Sequence, residues 1–353
     1  MPAISATPSS APPKVLVTGA NGFVAMWTVR TLLERGYSVR ATVRSAQKGE
    51  YLKKYFEKYA DKFELSIVAD ITKENAFDEA VVGADAILHM ASPVSFGVED
   101  PQELIRPALQ GTLGVLDSAL KHGKAIKRIV ITGSVASIVE ERDTPAVFDE
   151  SHWNEQAPRE VEEKGVAAKP TSKYRASKVI AERAAWDFVE KHAKEISWDL
   201  AVINPPLIFG PAIHEVSKPE ELNWSALEFH KTVASLDMGG KPKEVILSRR
   251  ACWVDVRDVA EGHVRALETE AAGGKRFIIS AGSLCVQEFI NVANALNKTG
   301  RKLPVGYPDL PTENPPFLLY DASRSKDILG MTYRSVEETT RDTLADYDAR
   351  GWA

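Results

Sequence analysis

The sequence predicts an α/β protein built on a doubly wound parallel sheet, with a smaller C-terminal lobe that is discontinuous in the chain. Three observations predict it. Short apolar runs alternate with helical patterns through the first two-thirds of the 353 residues. The runs are apolar at successive positions, so both faces of each strand are covered, as in sheets flanked by helices. The first run feeds the first helical pattern through the glycine-rich stretch VLVTGANGFVA, residues 15–25. Together these make the core Rossmann-type.

The runs fall at 14–18, 37–43, 63–69, 85–91, 127–132 and 198–204. Helical patterns separate them at 25–34, 49–59, 75–82, 101–121 and 172–193. This βαβ rhythm places parallel strands next to covering helices. Past residue 204 the rhythm ends. NPPLIFGPAI is too rich in proline to continue as a central strand. RRACWVDVRDVAEGHVRAL and KRFIIS read as a strand, a helix and a strand that return to the core. The expected division is a disordered lead-in at 1–13 and a dinucleotide-binding core at 14–204 with 249–283. The substrate lobe is expected at 205–248 and 284–353. Five prolines between 304 and 316 mark a surface loop.

Composition narrows the function classes. Apolar residues make up 44% and charged residues 26%, enough for a sizeable core. Net charge is −5, without a clustered basic run, so nothing suggests nucleic acid. The lead-in MPAISATPSSAPPK has no apolar core of a signal peptide, and no apolar run is long enough for a bilayer. Two cysteines, Cys252 and Cys285, lack metal-ligand spacing and point to reduced thiols in a cytoplasmic protein with no metal.

The glycine turn has a physical purpose. Gly19 permits a sharp turn, Gly22 clears space for a pyrophosphate, and Ala25 lets helix and strand pack closely. The expected phosphate cradle is Gly19, Asn21, Gly22, Phe23 and Val24, at a helix N-terminus whose N–H groups favour anions. The second strand ends in VRATVRS, without the acid that would bind the ribose hydroxyls of NAD. Arg44 stands at its carboxyl end, suited to the 2′-phosphate of NADP, and Lys48 adds a cation. Arg40, four residues earlier, reads as a surface charge. The expected cofactor is therefore NADPH/NADP+. Asp70 and Ile71 follow the third strand; Asp70 either meets the adenine amino group or caps the next helix. Ala91, Ser92 and Pro93 follow the fourth strand on the same side.

KYRASK places Tyr174 and Lys178 on one helical face. A free tyrosine, with a pKa of about 10, is a poor acid–base group at neutral pH, and an adjacent ammonium is expected to lower that value. Ser134 directly follows the fifth strand in IVITGSVAS and is preferred over Ser137 as the hydroxyl that polarises a carbonyl. His89 in AILHMA and His230 read as structural.

In order, TGANGFVA, ITGS, YRASK, NPPLIFGP and WVDVRDVA resemble the motifs of the extended short-chain dehydrogenase/reductase family. RGYSVRATVRS, HMASPVSF and FDESHW are similar to dihydroflavonol-4-reductase-like enzymes and yeast carbonyl (aldehyde) reductases. The resemblance implies that Tyr174 donates the proton, Lys178 supports it, Ser134 binds the carbonyl and Arg44 clamps the 2′-phosphate. It also implies that Pro205, Leu207 and Ile208 line the nicotinamide site. The chain departs from the family where IRPALQGTLGVL lacks an asparagine before its Gly-Thr pair.

The expected reaction is NADPH-dependent reduction of a small-molecule ketone, β-ketoester or aldehyde. Val94, Phe96, Leu207, Trp224, Leu227 and Phe229 are candidate substrate-pocket residues alongside Ser134. Two other classes share the fold: nucleotide-sugar epimerases or dehydratases that retain NAD, and non-catalytic NADP-sensing regulators. Arg44 argues against the first, and the tyrosine–lysine pair against the second. The long helical patterns 101–121 and 172–193 suit a monomer or a homodimer equally.

Overall fold

The computed structural model describes residues 4, 12–92, 97–248, 250–298, 300–312 and 318–352. Its elements in chain order are β1 (Lys14–Thr18), α1 (Phe23–Glu34), β2 (Ser38–Val43), α2 (Ala46–Tyr55), β3 (Phe63–Ile67), α3 (Asp78–Val81), β4 (Ala86–His89) and α4 (Gln102–His122). There follow β5 (Arg128–Thr132), β6 (Ala146–Phe148), α5 (Gln156–Lys164), α6 (Pro170–Lys191), β7 (Asp199–Asn204), β8 (Leu207–Phe209), α7 (Trp224–Phe229) and α8 (Lys243–Ser248). The chain ends with β9 (Arg250–Asp255), α9 (Val256–Glu268), β10 (Lys275–Ile278), β11 (Gly282–Cys285), α10 (Val286–Leu296), β12 (Leu318–Tyr320), α11 (Ser323–Leu329) and α12 (Val336–Arg350).

Seven strands form one sheet in the order β10-β7-β5-β4-β1-β2-β3, and every pairing in it is parallel. Alternation along β1 explains the two layers. Val15 and Val17 join a core with Met26, Val29 and Leu33 of α1 and Val259 of α9. Leu16, pointing the other way, joins Val115 and Leu116 of α4 and Ala185 of α6. The doubly wound sheet expected from the sequence is present. β1 is flanked by β2 on one side and β4 on the other, so the strand order reverses there and a crevice opens at their carboxyl ends.

The second core lies in the C-terminal lobe. Phe209, Phe229, Trp253 and Phe289 pack ring against ring, mostly tilted or edge-to-face, with Phe209 and Phe229 centroids 5.1 Å apart. Tyr347 and Leu344 of α12 close the same cluster. Segments on both sides of β10 build this lobe, so it is discontinuous in the chain.

Some elements differ from their expected placement. β9 does not enter the main sheet; it pairs with β8 and β11 in a three-stranded sheet, while β10 does join β7. β12 pairs with β6 as a two-stranded ribbon. α2 starts three residues early because Ser45 caps it, accepting from the Lys48 amide. α3 is shorter because Asn75 adopts φ 60°, which a helix excludes. Within the lead-in, Ile4 is buried; its amide donates to Leu267 O at 3.1 Å and its carbonyl accepts from Tyr37 Oη at 3.0 Å.

Candidate functional site

The crevice above β1 and β4 is shaped by backbone. Gly19 has φ +64°, and a Cβ there would lie 2.9 Å from the Ala91 Cα, so glycine alone fits. Gly22 precedes α1 with no side-chain cap, and the first turn carries no acid. The first-turn N–H groups of α1 are thus left without a side-chain acceptor at the end that follows β1. Asn21 is half-buried in the same turn.

Thr18 stitches the crevice shut below. Its Oγ1 accepts from the amides of Met90 and Ala91, at 3.0 and 3.1 Å. The hydroxyl proton is then left for His89 Nδ1, 3.0 Å away. The imidazole is therefore neutral, and burial with the nearby Lys178 charge lowers its pKa to about 3. His89 is a strut between β1 and β4.

Arg44 and Lys48 are exposed at the end of β2 and in the first turn of α2, and neither is ion-paired among the described residues. Arg40 is a structural residue and not a simple surface charge: it bonds Glu64 at 2.7 Å and the carbonyls of Ala80 and Val82. Asp70 caps no helix. Its Oδ1 accepts from Thr72 N and Oγ1 in a tight turn, which holds the carboxyl below its usual pKa. Ile71 packs toward α4, where a Cβ on Gly111 would meet its Cδ1 at 2.8 Å.

Tyr174 and Lys178 share a face of α6, and Ser134 leaves β5 opposite them. The Ser134 side chain hydrogen-bonds Tyr174. It also accepts from the Ala136 amide at 3.1 Å, which fixes its direction. Ser137 is fully buried and held by Glu182, so burial separates the two candidate serines in favour of Ser134. Lys178 Nζ donates to Ser92 Oγ at 2.7 Å and lies 5.5 Å from the centre of the Tyr174 ring. Burial lowers the Lys178 pKa to about 8, against the raising effect of Glu182. Tyr174 moves the opposite way from the sequence expectation. Burial raises it, the Ser134 bond only partly offsets this, and Lys178 turns its charge toward Ser92.

Pro205 is buried after β7, and its carbonyl accepts from the Val135 amide at 3.1 Å, tying it to the serine turn. Leu207 and Ile208 are half-buried in β8. Trp224 opens α7 at 40% exposure, and Leu227 is half-buried one turn on. Phe229 is not a pocket residue; it belongs to the ring cluster of the lobe core. His230 packs on Tyr347, within the lobe. Pro93, Val94 and Phe96 lie outside the described residues. No group of three or more His, Cys, Asp or Glu among the described residues could hold a metal ion.

Sequence reasoning missed Thr18, Glu182, Asn204 and Arg276. Glu182 was within reach: Tyr174, Lys178 and Glu182 follow one another at intervals of four, along one helical face. Asn204 and Arg276, which both donate to the Glu182 carboxylate, had no local signal, because that partner is distant in the chain.

Comparison with known proteins agrees with this geometry. The NAD dependent epimerase/dehydratase family model matches residues 15–282. The ketoreductase azaE of Aspergillus niger is 36% identical over 340 residues, covering 94% of this chain and 96% of that one. The NADPH-dependent methylglyoxal reductase GRE2 of Saccharomyces cerevisiae is 33% identical, covering 94% and 97%. The crystal structure of yeast methylglyoxal/isovaleraldehyde reductase Gre2 complexed with NADPH superimposes with a TM-score of 0.85 at 30% identity, covering 96% of this chain and all of that one. The chain belongs to the NAD dependent epimerase/dehydratase family, as an extended short-chain dehydrogenase/reductase closely related to the yeast carbonyl and aldehyde reductases.

Proposed function

We propose that the protein is an NADPH-dependent carbonyl reductase that converts a ketone or aldehyde to the alcohol. The observation that carries the reading is the meeting of Ser134, Tyr174 and Lys178, with Lys178 bonded to Ser92 next to the Ala91 backbone that Gly19 approaches.

The residues fit the dinucleotide. A Cβ would fill the cradle at Gly19, the α1 N-terminus has no side-chain acceptor, and two exposed cations stand where β2 ends. Gly19, Asn21, Gly22, Phe23 and Val24 would hold the pyrophosphate; Arg44 and Lys48 the 2′-phosphate; Asp70 and Ile71 the adenine side. Ala91, Ser92, Pro205, Leu207 and Ile208, with Lys178 and Tyr174, would surround the nicotinamide end. When bound, NADPH supplies a hydride to the carbonyl carbon.

The protein's own residues do the rest. The Ser134 hydroxyl donates to the carbonyl oxygen and orients it toward Tyr174. The Tyr174 hydroxyl gives its proton to that oxygen, and the Lys178 ammonium stabilises the phenolate left behind. Apolar Leu207, Leu227 and Trp224 suit an aryl or alkyl ketone, a β-ketoester or an aldehyde. No helix among the described residues is long and apolar enough to cross a membrane, and both cysteines are free and buried, which supports a cytoplasmic setting.

The test is consumption of NADPH with a panel of ketones, aldehydes and β-ketoesters. Turnover of external NADPH supports the reading. Tightly retained NAD with no net consumption would place the chain with the epimerases instead.

A further inference from the structure

Behind the three residues of the proposed reaction lies a buried ion pair that this reaction does not use directly. Glu182 on α6 and Arg276 on β10 are 3% and 6% exposed. Glu182 Oε1 accepts from Arg276 Nε at 2.6 Å. Its Oε2 accepts from Ser137 Oγ at 2.5 Å and from Asn204 Nδ2 at 3.0 Å. The Asn204 amide also donates to the Ser134 carbonyl at 3.2 Å. A third acceptor is Ser137 Oγ at 3.3 Å; the Ser134 carbonyl and Glu182 Oε2 carry no proton, which fixes the orientation of that amide. Arg276 is itself held rigidly. Its Nη1 donates to the carbonyls of Glu150 and His152, and its guanidinium lies 3.8 Å from the Trp153 ring centre. The FDESHW segment thus serves as the seat of this arginine. Gly133 makes room: a Cβ there would lie 2.6 Å from Asn204 Nδ2 and 3.2 Å from Glu182 Oε2.

One carboxylate therefore touches two parts of the site. Through Asn204 it holds the backbone of Ser134. Along α6 it stands one turn beyond Lys178. A small cavity of about 20 Å³ is lined by His89, Ser92, Thr112, Thr132, Lys178 and Glu182. Tyr174 faces Lys178 from α6, Ser92 and His89 from β4 and its exit, Thr112 from α4, and Thr132 from β5. His89 is neutral, so among these groups Glu182 alone carries a negative charge.

Resting on the reductase reading above, we propose that Glu182, clamped by Arg276, is a positioning residue for the reaction. It fixes Ser134 through Asn204, and it supplies the counter-charge that keeps the buried Lys178 ammonium protonated. The two effects separate by variant. Asn204→Ala cuts the link to Ser134 and leaves the charge in place. Glu182→Gln removes the charge.

The experiment measures kcat, the KM for the carbonyl, NADPH binding by fluorescence, and kcat against pH, on the full chain. Asn204→Ala should lower kcat about tenfold or more with its alkaline limb unmoved. Glu182→Gln should lower kcat and move the alkaline limb down by about half a pH unit or more, because Lys178 then loses its proton earlier. NADPH binding should stay within about twofold in both, since neither residue faces the phosphate cradle. Leaving Arg276 buried without its carboxylate endangers folding; in that event Glu182→Gln with Arg276→Met carries the same pH test. A wild-type alkaline limb in the folded Glu182 variant, or wild-type kcat in Asn204→Ala, overturns the proposal. Failure of the wild-type protein to oxidise NADPH with any carbonyl would instead overturn the reductase reading.

Discussion

Lys178 directs its ammonium at Ser92 Oγ, 2.7 Å away, and stands 5.5 Å from the centre of the Tyr174 ring. In the proposed mechanism the lysine acts on the tyrosine as a charge held at short range, while its hydrogen bond goes to Ser92. Its pKa, lowered to about 8 by burial, sets the upper edge of that service. Reduction should be flat below that value and fall as pH rises through it. A rate–pH profile without an alkaline limb would contradict this assignment.

Removing the phenol should stop the chemistry without disturbing the cradle. Tyr174→Phe is expected to lose about two to four orders of magnitude in kcat, the range of a general acid. NADPH affinity, read by fluorescence titration, should be nearly unchanged. Near-normal turnover in this variant would transfer the proton donor elsewhere.

Arg44 and Lys48 are exposed cations with no carboxylate partner among the described residues. Replacing both by alanine should weaken NADPH by about 10- to 100-fold, the loss of one or two charge-assisted bonds. NADH binding should hardly change. Equal losses for the two cofactors would show that these residues do not read the 2′-phosphate.

Gly19 combines a left-handed backbone with a close approach to Ala91 Cα. Gly19→Ala should cost about 1–3 kcal/mol of stability, from a strained φ and a contact with backbone that cannot move aside. It should also abolish NADPH binding. A melting temperature and cofactor affinity like those of the wild type would refute the cradle.

Three buried histidines whose pKa burial lowers, His89, His214 and His263, set an acid limit. His263 donates from Nδ1 to Val259 O and accepts from Thr132 Oγ1, each at 2.7 Å. Burial lowers its pKa from 6.5 to about 4, and that of His89 to about 3. The folded values lie below the unfolded ones, so the unfolded chain takes up protons first as pH falls. Stability is therefore full above 6.5 and is lost toward those lower values, by about 1.4 kcal/mol per pH unit per histidine. Urea midpoints across this range should show the slope, and His263→Gln should make it shallower by one histidine's share. An unchanged slope would mean that His263 is not neutral in the fold.

Much of the candidate site was readable in the chain because its logic is local. The Gly19–Gly22 turn, Arg44 at a strand end and the four-residue interval from Tyr174 to Lys178 are patterns of neighbours. Strands β1 to β5 and β7 were legible for the same reason, since a strand covered on both faces leaves a short apolar run of adjacent residues. β9 was misplaced because its sequence suits any covered strand, and only its pairing with β8 and β11 decides the sheet. Ser134 and Ser137 differ little in sequence context; burial against Glu182 separates them.

The order of apolar runs, glycines and small residues determined by itself a parallel sheet with an uncapped helix N-terminus at its first exit. Turn geometry and helical period are short-range, and a few consecutive residues specify them. Tertiary structure decided which way charges and hydroxyls are turned: Lys178 toward Ser92, Ser137 toward Glu182, Arg40 away from the crevice. Those directions depend on desolvation and on partners dozens of residues distant, which exist only once the sheet has closed around them.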